Sequence, residues 1–163
     1  MKRALALILT LLLIAAPMAL AEGSYSPDGK VCLENSEGEI REIQIAEIQQ
    51  DDAGVTVYIN GNADFNVYIA TIDFMTGGMK RIVNVAAWME DADGNRIEPA
   101  ETHGYIGGAD SGNSLSFTFE NAADAPTLAL CLTSNKDAVV KIPVAELQIS
   151  EDLKMSDKIV TLN

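Results

Sequence analysis

The chain of 163 residues contains few of the side chains on which enzymes depend. Its single histidine, His103, is too little for the usual catalytic zinc sites, which use two or three histidines or pair histidine with thiolates. No Gly-x-Ser-x-Gly motif is present, and neither Gly77-Gly78 nor Gly107-Gly108 continues into a phosphate-binding loop. We therefore expect a protein that is not an enzyme and has no cofactor, with His103 a loop residue without a role.

Basic side chains are also scarce, with 11 Lys+Arg against 24 Asp+Glu and a formal net charge of -13. Nucleic-acid binding requires clustered cations, so the sequence predicts no nucleic-acid partner. The same excess of acid opposes docking to anionic lipid. Such acidity is typical of a protein kept soluble by its charge, and it favours that interpretation over a dedicated cation-binding surface.

Residues 1–21 resemble a secretory signal peptide. Lys2 and Arg3 precede an apolar run over residues 4–16, and Ala19-Leu20-Ala21 fits the small-x-small rule, so we expect cleavage after Ala21. The alternative is an uncleaved anchor, but this run falls short of the ~20 residues that span a bilayer. Loss of the two leader cations lowers the formal charge from -13 to -15. We expect a secreted mature chain, extracellular or periplasmic, that does not insert into a membrane.

Export bears on the two cysteines, Cys32 and Cys131. An even count in an oxidising compartment predicts a Cys32–Cys131 disulfide. Each cysteine alternates with apolar neighbours, so both thiols are expected on the side of their strands that faces away from the core. The alternative is a pair of free thiols, and no Cys-x-x-Cys motif indicates redox catalysis.

Alternation of apolar and polar residues in short runs dominates from residue 31 onward and predicts β-strands. The clearest run is Ser114–Glu120, with Leu115, Phe117 and Phe119 on one face. After a turn, Leu128, Leu130 and Leu132 resume the same phase. We therefore predict a hairpin in which 119 pairs with 128, 117 with 130 and 115 with 132.

A second hairpin is predicted from Val55–Asn60 and Asn66–Ile72, with residues 61–65 as its loop. Lys80–Glu90 has apolar residues in both phases, as in a central strand. Weaker runs lie at Ile43–Ile48, Val139–Val144, Leu147–Ile149 and Lys158–Leu162, and the first of these also suits a short helix. Together they predict an all-β fold: a single immunoglobulin-like β-sandwich over residues 22–163 with about eight or nine short antiparallel strands. The spacing of Trp88 from the cysteines does not match the antibody domains.

Three groups of residues are candidates for a site. In the second hairpin the register pairs Tyr58 with Tyr68 on one sheet surface, where two rings could stack on a sugar or simply stabilise the sheet. Asp91, Asp93 and Asn95 are weak calcium candidates, because Arg96 and Thr102 occupy the positions where an EF-hand needs glycine and a bidentate acid. An Asp-Gly turn explains these three residues without a metal. Two of Asp91, Asp93 and Glu101 could instead serve a carboxylate-dependent hydrolase.

The functions excluded above favour one class of protein over the others. We expect a secreted, non-enzymatic β-sandwich module that presents a binding surface to an extracellular protein or a cell-envelope component. The alternatives are a carbohydrate-binding module that uses Tyr58 and Tyr68, and a small hydrolase that uses a carboxylate pair. A binding role inferred from fold class is an association, because fold alone does not fix function.

Overall fold

The computed structural model describes residues 23–106 and 113–155. This part of the chain is mostly β-structure, with 57% strand and no α-helix, so the predicted all-β class is confirmed. None of its helices is long or apolar enough to cross a membrane. The predicted leader and the predicted strand at Lys158–Leu162 lie outside the described residues.

The described residues form eleven strands and two 3-10 helices. The strands are β1 (Lys30–Glu34), β2 (Ile40–Asp51), β3 (Gly54–Asn60), β4 (Tyr68–Ile72), β5 (Met79–Val83), β6 (Val85–Glu90), β7 (Arg96–Ile97), β8 (Glu101–Tyr105), β9 (Ser114–Glu120), β10 (Thr127–Leu132) and β11 (Asn135–Pro143). The helices are η1 (Val144–Glu146) and η2 (Glu151–Leu153). The run at Leu147–Ile149, predicted as a strand, is not one, whereas Ile43–Ile48 is part of β2.

The strands form three antiparallel sheets. One has five strands in the order β1-β2-β3-β9-β8, another has four in the order β11-β10-β6-β7, and β4 and β5 form a two-stranded hairpin. The main hydrophobic core takes fully buried side chains from both larger sheets, and a smaller cluster lies around Trp88. Leu33, Ile45, Ile59, Leu115 and Phe119 come from the five-stranded sheet, and Val85, Met89, Leu128, Leu130 and Ile142 from the four-stranded sheet. Alternate residues of β3, β9 and β10 face this core, which accounts for the period of two in their sequences.

The predicted hairpin between Ser114–Glu120 and Leu128–Leu132 is wrong. The first segment, β9, pairs with β3 and β8, and the second, β10, pairs with β6 and β11, so the two lie in different sheets. Their buried phases were predicted correctly, because Leu115, Phe117, Phe119 and the three leucines of β10 all join the core. Alternation fixes which face of a strand is buried, but it does not fix the partner of that strand. The buried face is the same whether two strands pair in one sheet or face each other from opposite sheets.

The predicted hairpin between Val55–Asn60 and Asn66–Ile72 is also wrong. Both edges of β3 are occupied by long partners, since Gly54–Asn60 pairs with β2 on one side and with β9 on the other. The segment after Gly61 therefore leaves the sheet, and β4 pairs with β5 instead. Backbone pairing along the full length of a strand determines which strands lie beside it more strongly than the presence of a loop of suitable length.

The long run Lys80–Glu90 is divided at Asn84 into β5 and β6. The Asn84 amide donates to the carbonyl of Val67 (2.9 Å), and its carbonyl accepts from the amide of Thr133 (3.0 Å). The Asn84 side chain donates to the carbonyl of Asn66 (2.8 Å). β6 continues as an interior strand of the four-stranded sheet, as predicted, while β5 leaves that sheet and pairs with β4.

Candidate functional site

The end of the β4–β5 hairpin carries an unusual concentration of exposed apolar side chains. Ile72 is 62% exposed, Phe74 97%, Met75 93% and Met79 67%; these four residues are the apolar tip. Among the described residues only two other large hydrophobic side chains are exposed, Ile40 and Ile106, and they lie outside the hairpin. Single exposed hydrophobic residues are ordinary, but a cluster of them marks an interaction surface.

The turn beneath the apolar tip is held by Asp73. Its carboxylate accepts the amide of Met75 (2.9 Å), its carbonyl accepts the amide of Gly77 (2.7 Å), and its own amide donates to the carbonyl of Gly78 (2.8 Å). The amide of Met75, and then the hydroxyl of Thr76, hold the pKa of Asp73 below its usual range. Gly77 has a φ of 68°, a conformation that favours glycine. The turn is therefore defined by its own hydrogen bonds and contains an ionised carboxylate.

The base of the hairpin belongs to the main core. Val67 and Tyr68 are buried there, and Ala70 and Val83 pack partly against it. The Tyr68 ring occupies the space beside Gly104 of β8, where a Cβ would overlap it. Tyr68 is buried, Ile69 and Ala70 are partly buried, and Ile72 and Phe74 are exposed, so the apolar tip is an extension of an anchored strand pair.

Two cations lie directly behind the apolar tip. Lys80 and Arg81 follow Met79 in β5, both are exposed, and neither forms an ion pair with a described residue. Arg41, Arg96, Lys141 and Lys154 each pair with a glutamate. Lys30 and Lys136, which lie outside the hairpin, are exposed and have no ion pair among the described residues either. Within the described residues β5 pairs only with β4, so its other edge has no strand partner there, and we call this edge open. The hairpin thus combines apolar side chains, free positive charge and an open strand edge on a chain that is otherwise acidic.

The two tyrosines of the predicted sugar site do not meet. Tyr68 is buried in the core, whereas Tyr58 lies on the outer face of the five-stranded sheet, opposite Ser116. Its neighbour on that face is Tyr105, whose hydroxyl is 3.2 Å from that of Ser116. Burial raises the pKa of Tyr58, and Tyr105 and Glu47 add to the effect. The predicted cross-strand pair was wrong because the hairpin that carried it does not form.

The residues proposed for calcium form a turn between β6 and β7. The Asp91 carboxylate accepts the amides of Asp93 (3.0 Å) and Asn95 (2.7 Å), and also the side-chain amide of Asn95 (2.8 Å). The Asn95 side chain and amide hold the pKa of Asp91 below its usual range. In the described residues no three His, Cys, Asp or Glu side chains are grouped to hold a metal. The Asp-Gly turn is thus the arrangement that forms.

Among the carboxylates proposed for hydrolysis, Glu101 is separated from Asp91 and Asp93. Asp91 and Asp93 follow β6 in the four-stranded sheet, and Glu101 begins β8 in the five-stranded sheet. Glu101 lies 3.1 Å from Nε2 of His103, which is exposed on the same strand rather than in a loop. A groove of about 250 Å³ beside Glu101 is lined also by Asp51 and Glu120. Neither Asp91 nor Asp93 lines it, so Glu101 pairs with neither of them in this groove. Asp91 and Asp93 share the turn between β6 and β7 described above.

The predicted disulfide is absent, and both cysteines are free. Both thiols do point away from the core, as the sequence predicts, but from different sheets: Cys32 from β1 and Cys131 from β10. Stacked sheets lie about 10 Å apart, and a disulfide needs Cα atoms within roughly 7 Å. Cys131 instead packs with Trp88 and Ala129 on the outer face of its sheet.

Sequence reasoning missed the apolar tip. Its signal is nonetheless present, because Ile72, Phe74, Met75 and Met79 surround the turn residues Gly77-Gly78, where polar side chains are usual. No family model matches the chain, and no match was found among curated proteins or solved structures.

Proposed function

We propose that this protein is a secreted, non-enzymatic β-sandwich module that binds an extracellular protein or a cell-envelope component through the tip of its β4–β5 hairpin. One observation carries the proposal: Phe74 and Met75 are both more than 90% exposed at the end of that hairpin. Removing such a side chain from water is favourable by about 1.5–3 kcal/mol, against which the costs of association are set. Aromatic residues and methionine are also enriched at protein interfaces.

The anchoring of the hairpin supports this function. Tyr68 and Val83, which pair at its base, contact the core, and the hydrogen bonds of Asp73 define its turn. A contact surface that is already ordered loses less conformational entropy when it binds. The position of the apolar tip at the end of an anchored strand pair therefore favours recognition over a structural role.

The proposal also includes export of the chain and an immunoglobulin-like arrangement of its strands. Export with cleavage after Ala21 is supported by the basic residues Lys2 and Arg3, the apolar run over residues 4–16 and the small residues of Ala19-Leu20-Ala21. The antiparallel sheets with non-consecutive neighbours, β3 beside β9 and β10 beside β6, support an immunoglobulin-like arrangement. Such domains commonly carry their contact residues on the connections between strands, as does this hairpin.

The test measures retention of the purified mature chain, residues 22–163, on isolated cell envelopes of its source. The informative variant is Phe74→Ser/Met75→Ser, and Ile106→Ser is the matched control, because Ile106 is a large exposed hydrophobic residue outside the hairpin. Thermal unfolding midpoints establish that all three proteins are folded. We expect retention of the mature chain and the control, and at least tenfold lower retention of the tip variant. Equal behaviour of the three folded proteins would overturn the proposal.

A further inference from the structure

We infer that the partner adds an extended strand to the open edge of β5, and that this strand carries two adjacent acidic residues flanked by apolar ones. The inference rests on the proposed function, because it identifies what the hairpin binds. Its basis is the combination of an open strand edge with Lys80 and Arg81, which have no acidic partner among the described residues.

The backbone of β5 is suited to strand addition. It pairs with β4 from Met79 to Val83 and with no other described strand, so one row of its N–H and C=O groups has no strand partner there. Open edges of this kind accept extended peptides, with main-chain hydrogen bonds supplying affinity. A two-stranded hairpin is only marginally stable by itself, and a third strand would stabilise its outer half.

The side chains of β5 specify the chemistry of the added strand. Lys80 and Arg81 are consecutive, so they point to opposite faces of the hairpin, and each requires its own acidic partner. Met79 and Ile82 lie on either side of them and favour apolar partners. The complementary sequence is apolar-acidic-acidic-apolar, and this pattern is the same whether the added strand runs parallel or antiparallel. Oppositely charged cross-strand pairs stabilise a sheet.

A second copy of this chain is a poor occupant of the edge. Antiparallel pairing of two β5 strands around a twofold axis would bring Lys80 and Arg81 of one copy opposite the same residues of the other. Like charges in direct opposition destabilise a sheet, and edge lysines are a common protection against self-pairing. The two cations therefore disfavour self-association through β5.

A lipid surface is also a poor occupant. The ionised carboxylate of Asp73 lies between Ile72 and Phe74 of the apolar tip, and insertion of the tip would remove it from water. The open backbone groups of β5 would find no hydrogen-bonding partner in hydrocarbon. A protein strand provides those partners, and it can place acidic side chains beside the cations.

The experiment screens a random ten-residue peptide library on beads with the labelled mature chain and with Lys80→Glu/Arg81→Glu. The matched control is Lys30→Glu/Lys136→Glu, which makes the same change in net charge at two exposed lysines outside the hairpin. We expect the mature chain and the control to select two adjacent acids flanked by apolar residues. The hairpin variant should select adjacent basic residues. It should bind the original peptides at least about tenfold more weakly than the mature chain does. Selection without acidic pairs, or without this reversal, would overturn the inference.

Backbone methylation then tests strand addition itself. The best peptide is synthesised in two forms, each methylated at alternate backbone nitrogens, so that each form removes donors from one edge of the bound strand. We expect one form to lose binding and the other to keep it. Undiminished binding of both forms would overturn strand addition.

The remaining outcomes separate this inference from the proposed function. Failure to select acidic peptides, together with loss of envelope retention by Phe74→Ser/Met75→Ser, would overturn the inference and leave the proposed function standing. Binding of the mature chain to protein-free phosphatidylglycerol vesicles, lost in Lys80→Glu/Arg81→Glu, would assign the surface to lipid and also overturn the inference.

Discussion

The aromatic ring of Tyr68 lies directly beside the Cα of Gly104, joining the first residue of β4 to β8 in the five-stranded sheet. A Cβ at position 104 would overlap the ring, so glycine is required there by close approach rather than by backbone conformation. The carbonyl of Tyr68 also accepts the side-chain amide of Asn113, which immediately precedes β9. These contacts attach the hairpin to the larger sheet and so position the apolar tip.

Gly104→Ala should destabilise the protein. The added methyl group must displace a buried ring, and overpacking of this kind costs about 1–3 kcal/mol. The matched control is Gly78→Ala, because a Cβ there would meet only the Thr76 hydroxyl at ordinary contact distance. The measurement is the free energy of unfolding in urea. A loss no greater than that of the control would contradict the contact between Tyr68 and position 104.

Tyr68→Ala and Tyr58→Ala should differ strongly in stability. Tyr68 is part of the main core, and truncation of a buried aromatic residue costs about 3–5 kcal/mol. Tyr58 lies on the outer face of its sheet and is only half-buried, so its truncation should cost about 1 kcal/mol or less. Urea unfolding of both variants provides the comparison. Equal losses would favour the cross-strand pairing of the two tyrosines that the sequence predicts.

Both cysteines should be free thiols even without a reducing agent, and both should be shielded from modification in the folded protein. Cys32 and Cys131 are free and buried, and burial raises the pKa of the Cys131 thiol, which lowers its thiolate fraction. Iodoacetamide should modify the native chain slowly and should modify both cysteines in denaturant without reductant. Mass spectrometry counts the adducts. Adducts that appear only after reduction would mean that a disulfide forms.

Glu90 should contribute stability that depends on pH. Its carboxylate accepts the Lys141 ammonium (2.8 Å) and the Trp88 indole N–H (3.2 Å). The Lys141 contact, followed by that of Trp88, holds the pKa of Glu90 below its ordinary value of 4.5. Because the folded pKa is the lower one, this stabilisation is present above the unfolded pKa and is lost as the pH falls through the folded pKa.

The test compares Glu90→Gln with the unaltered protein across this range. Lys141 is largely exposed, so solvent screening limits the deficit at neutral pH to about 1 kcal/mol or less. The deficit should shrink as the pH falls below 4.5, the ordinary value for the carboxyl group. Urea unfolding at several pH values measures it, and Glu37→Gln at an exposed turn serves as the control. A deficit that is constant with pH would contradict the assigned role of the charge.

Sequence alternation correctly gave the buried faces of β9 and β10 but not their partners. Leu115 and Leu132 were predicted to pair within one hairpin, yet they face the shared core from different sheets. The same limit applies to the cysteines: their outward phase was predictable, while the sheet that carries each thiol was not. Phase depends on the geometry of one strand, and pairing depends on competition among all strands for edges.

The apolar tip illustrates the same limit at the candidate site. Phe74 and Met75 were visible in the sequence, but their composition alone suits a buried strand as well as an exposed turn. The tertiary structure decided between the two. β4 and β5 pair only with each other among the described residues, and Asn84, hydrogen-bonded to Val67 and Thr133, separates β5 from the core strand β6.

The sequence by itself determined the all-β class, the buried phase of the strands, the Asp-Gly turn at Asp91 and the scarcity of catalytic side chains. These properties follow from local chemistry, namely the two-residue period of a strand, the hydrogen bonds of an Asx turn and composition. The tertiary structure alone decided that Cys32 and Cys131 lie in different sheets, that Tyr58 and Tyr68 do not meet, and that the apolar tip remains exposed. Each of these depends on which distant segments occupy the two edges of a strand, a global competition that no local pattern encodes.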